Sequence, residues 1–177
     1  MIPLLETARL RLRPRSPADL EANLAMDLDP AVARFIWGDP PDPNERRAQL
    51  EERFRNDGAA PGGSWTVEDK ASSDFLGWCG LMALEDSGLI EIGYRYLPKA
   101  WGRGLATEAA ARVLDYGFRV FGFDPIVAVA HPENRASHRV LEKIGLVRVG
   151  EAFHYGQDLP LFRLSRDVYL AAIEAET

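Results

Sequence analysis

The sequence predicts one α/β (α+β) domain, and three observations carry that prediction. The chain has 177 residues, enough for one hydrophobic core and too few for two large ones. Its texture changes twice: helical signals give way to three strand signals in succession, and these give way to alternating helix and strand. The resulting order is β, helices, βββ, α, β, α, ββ. It shows no internal repeat, low-complexity tract or linker, so residues 1–177 read as a single domain.

Each element follows from local chemistry. Leu10 and Leu12 alternate with Arg9, Arg11 and Arg13 ahead of Pro14, the pattern of a half-exposed strand that keeps its arginines in water. Ser16-Pro17-Ala18-Asp19 offers a hydroxyl cap, a proline at the first helical position and an acid three residues after the cap. A helix should start there, with Leu20 and Leu24 facing inward. Asp29-Pro30 and Asp42-Pro43 repeat the device. The second opens a charged surface helix, Pro43 to Arg55, whose bulky apolar residues are Leu50 and Phe54. Between them, Trp37-Gly38-Asp39-Pro40-Pro41-Asp42 cannot propagate regular structure and predicts a loop over one end of the fold.

After a linker from Asn56 to Gly63, the runs Ser64–Glu68, Phe75–Ala83 and Leu89–Leu97 read as an antiparallel meander. From Gly104 onward, Leu105, Ala109, Val113 and Tyr116 form one helical stripe. Pro125 to Ala130 is a short apolar run suited to a strand buried on both faces. Asn134 can cap a further helix with Ala136, Val140 and Ile144 on one stripe, and Gly145 followed by Leu146 reads as its left-handed stop. Two strands, Leu146–Phe153 and Leu161–Ser165, then precede a short amphipathic helix.

Composition excludes several classes. Hydrophobic residues at 46% and charged residues at 27% are ordinary for a globular chain and rule out disorder as the main state. The 21 Lys plus Arg against 27 Asp plus Glu leave a net charge of -6, the wrong sign for a protein that binds nucleic-acid phosphates. No apolar run approaches the roughly 20 residues that span a bilayer, and Met1 to Arg15 alternates Leu with Arg instead of building a signal-peptide core. The expectation is a cytoplasmic protein with no membrane partner. Cys79 is the only cysteine, which excludes an intramolecular disulfide and a Cys-based zinc site; beside Leu76, Trp78 and Leu81 it reads as a small buried hydrophobe. His131, His138 and His154 show no metal-ligand spacing, so no metal is expected.

The chemistry concentrates in Ile90-Glu91-Ile92-Gly93-Tyr94-Arg95-Tyr96-Leu97-Pro98 and the following Lys99-Ala100-Trp101-Gly102-Arg103-Gly104-Leu105-Ala106-Thr107-Glu108. A strand leads through a glycine-bearing turn into a helix whose first residues are small. Several backbone N–H groups without intrahelical acceptors would converge there with no side chains in front of them, which makes an anion cradle. Without Gly-x-Gly-x-x-Gly or Gly-Lys-Ser/Thr, the dinucleotide-binding and P-loop readings fall.

Trp101-Gly102-Arg103-Gly104-Leu105-Ala106 resembles the acyl-CoA-binding motif of the GNAT superfamily of N-acetyltransferases, Gln/Arg-x-x-Gly-x-Gly/Ala. Trp101 at the first position, with Gly102, Thr107 and Glu108, is similar to the RimJ and RimL branch, which acetylates ribosomal-protein N-termini. Asn134-Arg135-Ala136-Ser137 and Glu142-Lys143-Ile144-Gly145-Leu146 match that branch's Asn-x-x-Ser and Glu-Lys-x-Gly-Phe pattern at the expected distance. The resemblance implies a single mixed, mostly antiparallel sheet flanked by helices. The sheet would be splayed between the strand ending near Leu97 and the one ending near Ala130, with acetyl-CoA in the opening. Backbone from Gly102 to Thr107 would hold the pyrophosphate, and Arg103, Arg135 or Arg139 the 3′-phosphate. Ile92, Gly93 and Tyr94 would pair with the pantetheine, Gly93 leaving room for it, and Asn134 would hydrogen-bond the coenzyme.

Acetyl transfer needs a deprotonated amine, a polarised thioester and a protonated leaving thiolate. Glu91, beside apolar Ile90 and Ile92, is the candidate base, and burial there would raise its pKa. The resemblance makes Ser137 the candidate acid, with Tyr155 the competitor. The Trp37 loop should overhang the acceptor, and Asp27, Asp29, Asp39 and Asp42 would make that entrance negative, favouring a cationic amine. Protein N-termini, amino acids, polyamines and aminoglycosides all present such an amine, and a monomer and a homodimer are both compatible with the sequence. A second class, a non-catalytic acyl-CoA-binding sensor, needs the cradle but neither Glu91 nor Ser137.

Overall fold

The computed structural model describes residues 2–56 and 62–175, so most of the linker expected between Asn56 and Gly63 lies outside the described residues. A two-residue strand, β1 (Leu5–Glu6), pairs with β2 (Leu10–Pro14), and a single 3₁₀ turn at Pro17–Asp19 leads into α1 (Leu20–Asp27). Then come α2 (Pro30–Ala33), α3 (Pro43–Asn56) and the meander β3 (Gly63–Asp69), β4 (Phe75–Ala83) and β5 (Ile90–Tyr96). The second half runs α4 (Leu105–Tyr116), β6 (Ile126–Val129), α5 (Arg135–Lys143), β7 (Val147–His154), β8 (Gln157–Leu164) and α6 (Arg166–Ala175).

All eight strands join one sheet in the order β1-β2-β3-β4-β5-β6-β8-β7. Every pairing is antiparallel except β5 with β6. That parallel pair, connected through α4 and a π turn at Gly117–Phe121, brings only two residues of each strand into register. The sheet is therefore mixed, mostly antiparallel and flanked by helices, as the family resemblance implies.

The sheet's two faces carry different cores. On one, Cys79, Leu81, Ile92 and Tyr96 pack against Ala109, Val113 and Phe118 of α4 and its π turn. On the other, Trp78 packs with Met26 of α1 and Val32 of α2, joined by Ile36 and Met82. The capping device at Ser16 operates as expected: the Ser16 N–H donates to Asp19 Oδ2 at 2.8 Å. Only Leu24 is fully buried there, Leu20 being half-covered.

The α5 stripe differs from the expected one. Leu141 and Ile144 are buried, Val140 is partly so, and Ala136 is exposed. Ala136 falls on the side of the helix that faces an opening in the sheet, where a methyl group is the whole side chain. Gly145, at φ +95°, ends the helix, with Leu146 N–H returning to the Leu141 carbonyl at 3.0 Å.

Candidate active site

The opening lies where β5 and β6 part. They pair through Ile90↔Ile126 and Glu91↔Val127 and then diverge, so β5 from Ile92 onward runs past the end of its parallel register. Two cavities meet in the gap, one of about 480 Å³ on the α4–α5 side and one of about 540 Å³ on the α1–α3 side. Tyr94, Arg95, Asn134 and Ser137 border both.

The first cavity is walled by Trp101, Gly102, Gly104, Leu105, Ala106 and Thr107. The turn holding them is fixed from below: Trp101 donates its Nε1–H to the Tyr96 carbonyl at 2.9 Å and its backbone N–H to the Pro98 carbonyl at 3.0 Å. Gly102 and Gly104 take φ of +71° and +74°, the left-handed region that side-chain-bearing residues avoid. A Cβ on Gly102 would meet nothing within 4 Å, so the glycine there answers a backbone requirement and leaves open space in front of it. Behind the turn, Glu108 accepts from the Arg9 N–H at 2.9 Å and Arg9 Nε at 2.7 Å, and from the Thr7 hydroxyl. Burial pushes this carboxyl up, but the donors from Thr7 and Arg9 outweigh it and hold it below its usual range.

Across the cavity stands α5. Asn134 caps it, its Oδ1 accepting from the Ser137 N–H at 3.1 Å. Ser137 Oγ lies 2.9 Å from the Tyr94 hydroxyl, whose pKa burial raises well above a phenol's ordinary value. Arg139 and Lys143 also border the cavity. Arg103 does not: its guanidinium is 3.8 Å from Asp69 and its carbonyl accepts from Arg9 Nη1 at 2.9 Å. Ile92 and Gly93 border the second cavity instead of this one.

Glu91 lies in the wall of the second cavity and is only 6% exposed. Across β4 it faces Met82, while Gly93 faces Gly80 and Arg95 faces Trp78, so these six residues share one surface. A Cβ on Gly93 would stand 3.4 Å from both Met82 Cε and Trp78, on the side of the strand that borders the second cavity. Burial raises the Glu91 carboxyl to about 7, against a smaller downward pull from its hydrogen bond with Tyr155. The Tyr155 hydroxyl donates to Glu91 Oε1. Tyr155 occupies the β7–β8 turn at φ +52°, where Glu85 accepts from its N–H at 3.2 Å and contacts His154 Nδ1 at 2.8 Å.

Three of the four acids expected at the entrance are engaged within the fold, while Asp39 is exposed. Asp29 accepts from the Ala31 N–H at 2.8 Å and Asp42 from the N–H groups of Asn44 and Glu45, so both cap helices. Asp27 is 1% exposed and lies between Arg46 Nε at 2.7 Å and Arg95 Nη1 at 2.5 Å. Asp27 therefore does not face the entrance as an open negative charge; it is paired within a wall that carries two arginines. Sequence reading missed Arg46 and Arg95 because an isolated arginine on a charged helix or a strand reads as solvated. Trp37, 40% exposed, covers the pair, with Arg46 at 4.9 Å and Arg95 at 4.8 Å from its ring. Among the described residues no group of three or more His, Cys, Asp or Glu side chains could hold a metal.

A left-handed double-glycine turn at the start of a twelve-residue helix, open space before it and cations on the facing helix suit a phosphorylated, elongated ligand. With a buried carboxyl across the gap, fold and site define an acyl-CoA-dependent acyltransferase. The chain belongs to the GNAT acetyltransferase family, matching the acetyltransferase (GNAT) domain over residues 9–147. It is similar to the protein YkkB of Bacillus subtilis (strain 168), with 37% identity over 145 residues, 80% of this chain and 84% of YkkB. It is also similar to the N-acetyltransferase YoaA of the same organism, 32% identical over 157 residues and covering 88% and 89% of the two chains. The crystal structure of an acetyltransferase from Agrobacterium tumefaciens str. C58 matches with a TM-score of 0.80 at 27% identity, over 93% of this chain and 95% of that one. The protein is an N-acetyltransferase with acetyl-CoA as its co-substrate. No helix among the described residues is long and apolar enough to cross a membrane.

Proposed function

We propose that the protein transfers acetyl from acetyl-CoA to a primary amine by direct attack in a ternary complex, with Glu91 as base and Ser137 as acid. The observation that carries this reading is the buried Glu91 carboxyl in the wall of a cavity that meets the glycine-turn cavity at Tyr94 and Ser137. Backbone N–H groups from Gly102 to Thr107 would bind the pyrophosphate, with Arg139 the arginine best disposed toward a further phosphate. Bound there, acetyl-CoA supplies the activated acyl group.

The remaining steps belong to the chain. Tyr155 occupies Oε1 of Glu91, which leaves Oε2 to take the proton from the amine. A carboxyl near 7 is matched to that task, being ionised in useful amount at neutral pH yet basic enough to accept a proton. Ser137 Oγ delivers a proton to the leaving thiolate, and the Tyr94 hydroxyl 2.9 Å away stabilises the serine afterwards. Tyr155 is engaged with Glu91 on the acceptor side, which favours a positioning role for it over that of the acid. Cys79 is fully buried and burial pushes its thiol up, so no covalent relay through it is invoked.

The Trp101, Thr107-Glu108 and Asn134-Ser137 matches support a RimJ/RimL-type branch within the family. The test is acetyl-CoA-dependent thiol release across amines and N-terminal peptides. Release that follows one acceptor class supports the reading. Tight acetyl-CoA binding with no release for any amine would reject it in favour of a sensor.

A further inference from the structure

The second cavity carries a charge imbalance that base and acid leave unexplained. Asp27 is a single buried carboxylate, and two guanidiniums are turned onto it: Arg46 from α3 and Arg95 from β5. Their side chains are only 10% and 13% exposed, and both border the cavity. Glu91 and Arg53, which border the same cavity, add one charge of each sign when Glu91 is ionised, while around Asp27 one carboxylate against two arginines leaves one positive charge in a place poor in water. Such a charge is costly unless an anion completes the pairing. Gln49 contributes a neutral acceptor to Arg46 at 2.9 Å, which satisfies a donor without balancing charge. Like charge from Arg46 and Arg53 adds to the burial that works against the Arg95 guanidinium.

Position on the strand gives the imbalance a direction. Glu91 and Arg95 stand on the same face of β5 with Gly93 between them, so β5 itself puts no side chain between carboxyl and guanidinium, and the floor there is formed by Met82 and Trp78 from β4. At ~3.3 Å per residue their Cα atoms are roughly 13 Å apart, room for a molecule with an amine at one end and a charge at the other. Trp37 and Trp78 flank Arg95, their rings 4.8 and 5.7 Å from its guanidinium carbon, which restrains the fork.

We propose that the acceptor is an amine that also carries an anionic group, carboxylate or phosphate. Arg95, seconded by Arg46, receives the anion while Glu91 faces the amine. A polyamine would bring positive charge to a wall that already has an excess of it. The amine half of this inference rests on the transferase reading above; the anion half rests on the arginine wall alone.

Two measurements on the intact protein test it. In the first, acetyl-CoA-dependent thiol release is compared for matched pairs, 6-aminohexanoate against 6-aminohexanamide and O-phosphoethanolamine against ethanolamine, with spermidine as the polycation. An anion-bearing member should exceed its neutral twin in kcat/KM by about tenfold or more, the scale of one charge-assisted hydrogen bond. The pair that responds identifies carboxylate or phosphate. Arg95→Lys keeps the charge but removes the planar fork, and Arg46→Gln removes the second cation. Each should draw the ratio toward one, the change falling on the acceptor rather than on the KM for acetyl-CoA. The second measurement needs no transfer: binding of 6-acetamidohexanoate and of its amide, followed by tryptophan fluorescence.

Ratios near one in both assays would overturn the proposal. So would spermidine as the best acceptor, or an Arg95→Lys effect confined to acetyl-CoA. Arg95-dependent binding of the acid without transfer to any amine would uphold the anion site and reject instead the transferase reading on which the amine half rests.

Discussion

The two cavities that meet at Tyr94 and Ser137 are built by different means. The cavity proposed for the coenzyme has as its distinctive wall the single stretch from Trp101 to Thr107, where glycines and small residues leave backbone N–H groups uncovered at a helix start. The cavity proposed for the acceptor is made largely of long charged and aromatic side chains drawn from α1, the Trp37 loop, α3, β4, β5 and the β7–β8 turn. A shared co-substrate can be gripped by geometry that any small residues provide. An acceptor that differs between relatives has to be read by side chains, and those side chains are held by ion pairs between distant segments.

The largest expected effect breaks the acceptor side. Glu91→Gln should lower turnover by roughly 10²-fold, the range of a general base, with acetyl-CoA affinity kept, as steady-state kinetics and coenzyme titration would report. In the wild type kcat/KM should rise with pH through about 7 as this carboxyl ionises, and the variant should lose that limb. Stability should respond with the opposite sign. The folded carboxyl holds its proton to about 7, above its ordinary 4.5, so the fold carries no ionisation penalty at pH 4 and loses stability as pH rises from about 4.5 to about 7, levelling off above that. Thermal melts of Glu91→Gln should gain on the wild type between pH 5 and pH 8.

The next effect breaks the coenzyme side alone. Gly104→Val forces a β-branched residue to φ +74°, and the resulting strain and misaligned N–H groups should weaken acetyl-CoA binding about tenfold. Discrimination between acceptors should survive. Tyr155→Phe sharpens the contrast in the other direction. It removes the donor that lowers the Glu91 carboxyl, so the rising limb of the pH profile should move to higher pH. A limb that stayed in place would show that the hydroxyl does not govern this carboxyl.

Smallest is Arg9→Ala. Arg9 braces the coenzyme turn from behind through Glu108 and the Arg103 carbonyl, yet its side chain is 50% exposed. Exposed pairs of this kind contribute about 1 kcal/mol or less, so the KM for acetyl-CoA should rise only about two- to fivefold. A loss as large as that of Gly104→Val would mean the turn is not preset by its own glycines.

The sequence alone determined whatever is encoded within a few neighbouring residues. The meander, the buried β6 run, the Asp-Pro and Asn134 caps, the Gly145 stop and the double-glycine turn all follow from periodicity, capping and φ preference. The two-residue β1 and the π turn at Gly117–Phe121 were not legible, since each is held mainly by what packs against it. Only the tertiary structure decided the acceptor side. Asp27 pairs with Arg46 nineteen residues away and with Arg95 sixty-eight away, taking one expected rim acid into a buried cluster with two arginines. A charge acquires its meaning from the charges beside it, and the chain sets those neighbours only when α1, α3 and β5 have folded onto one another.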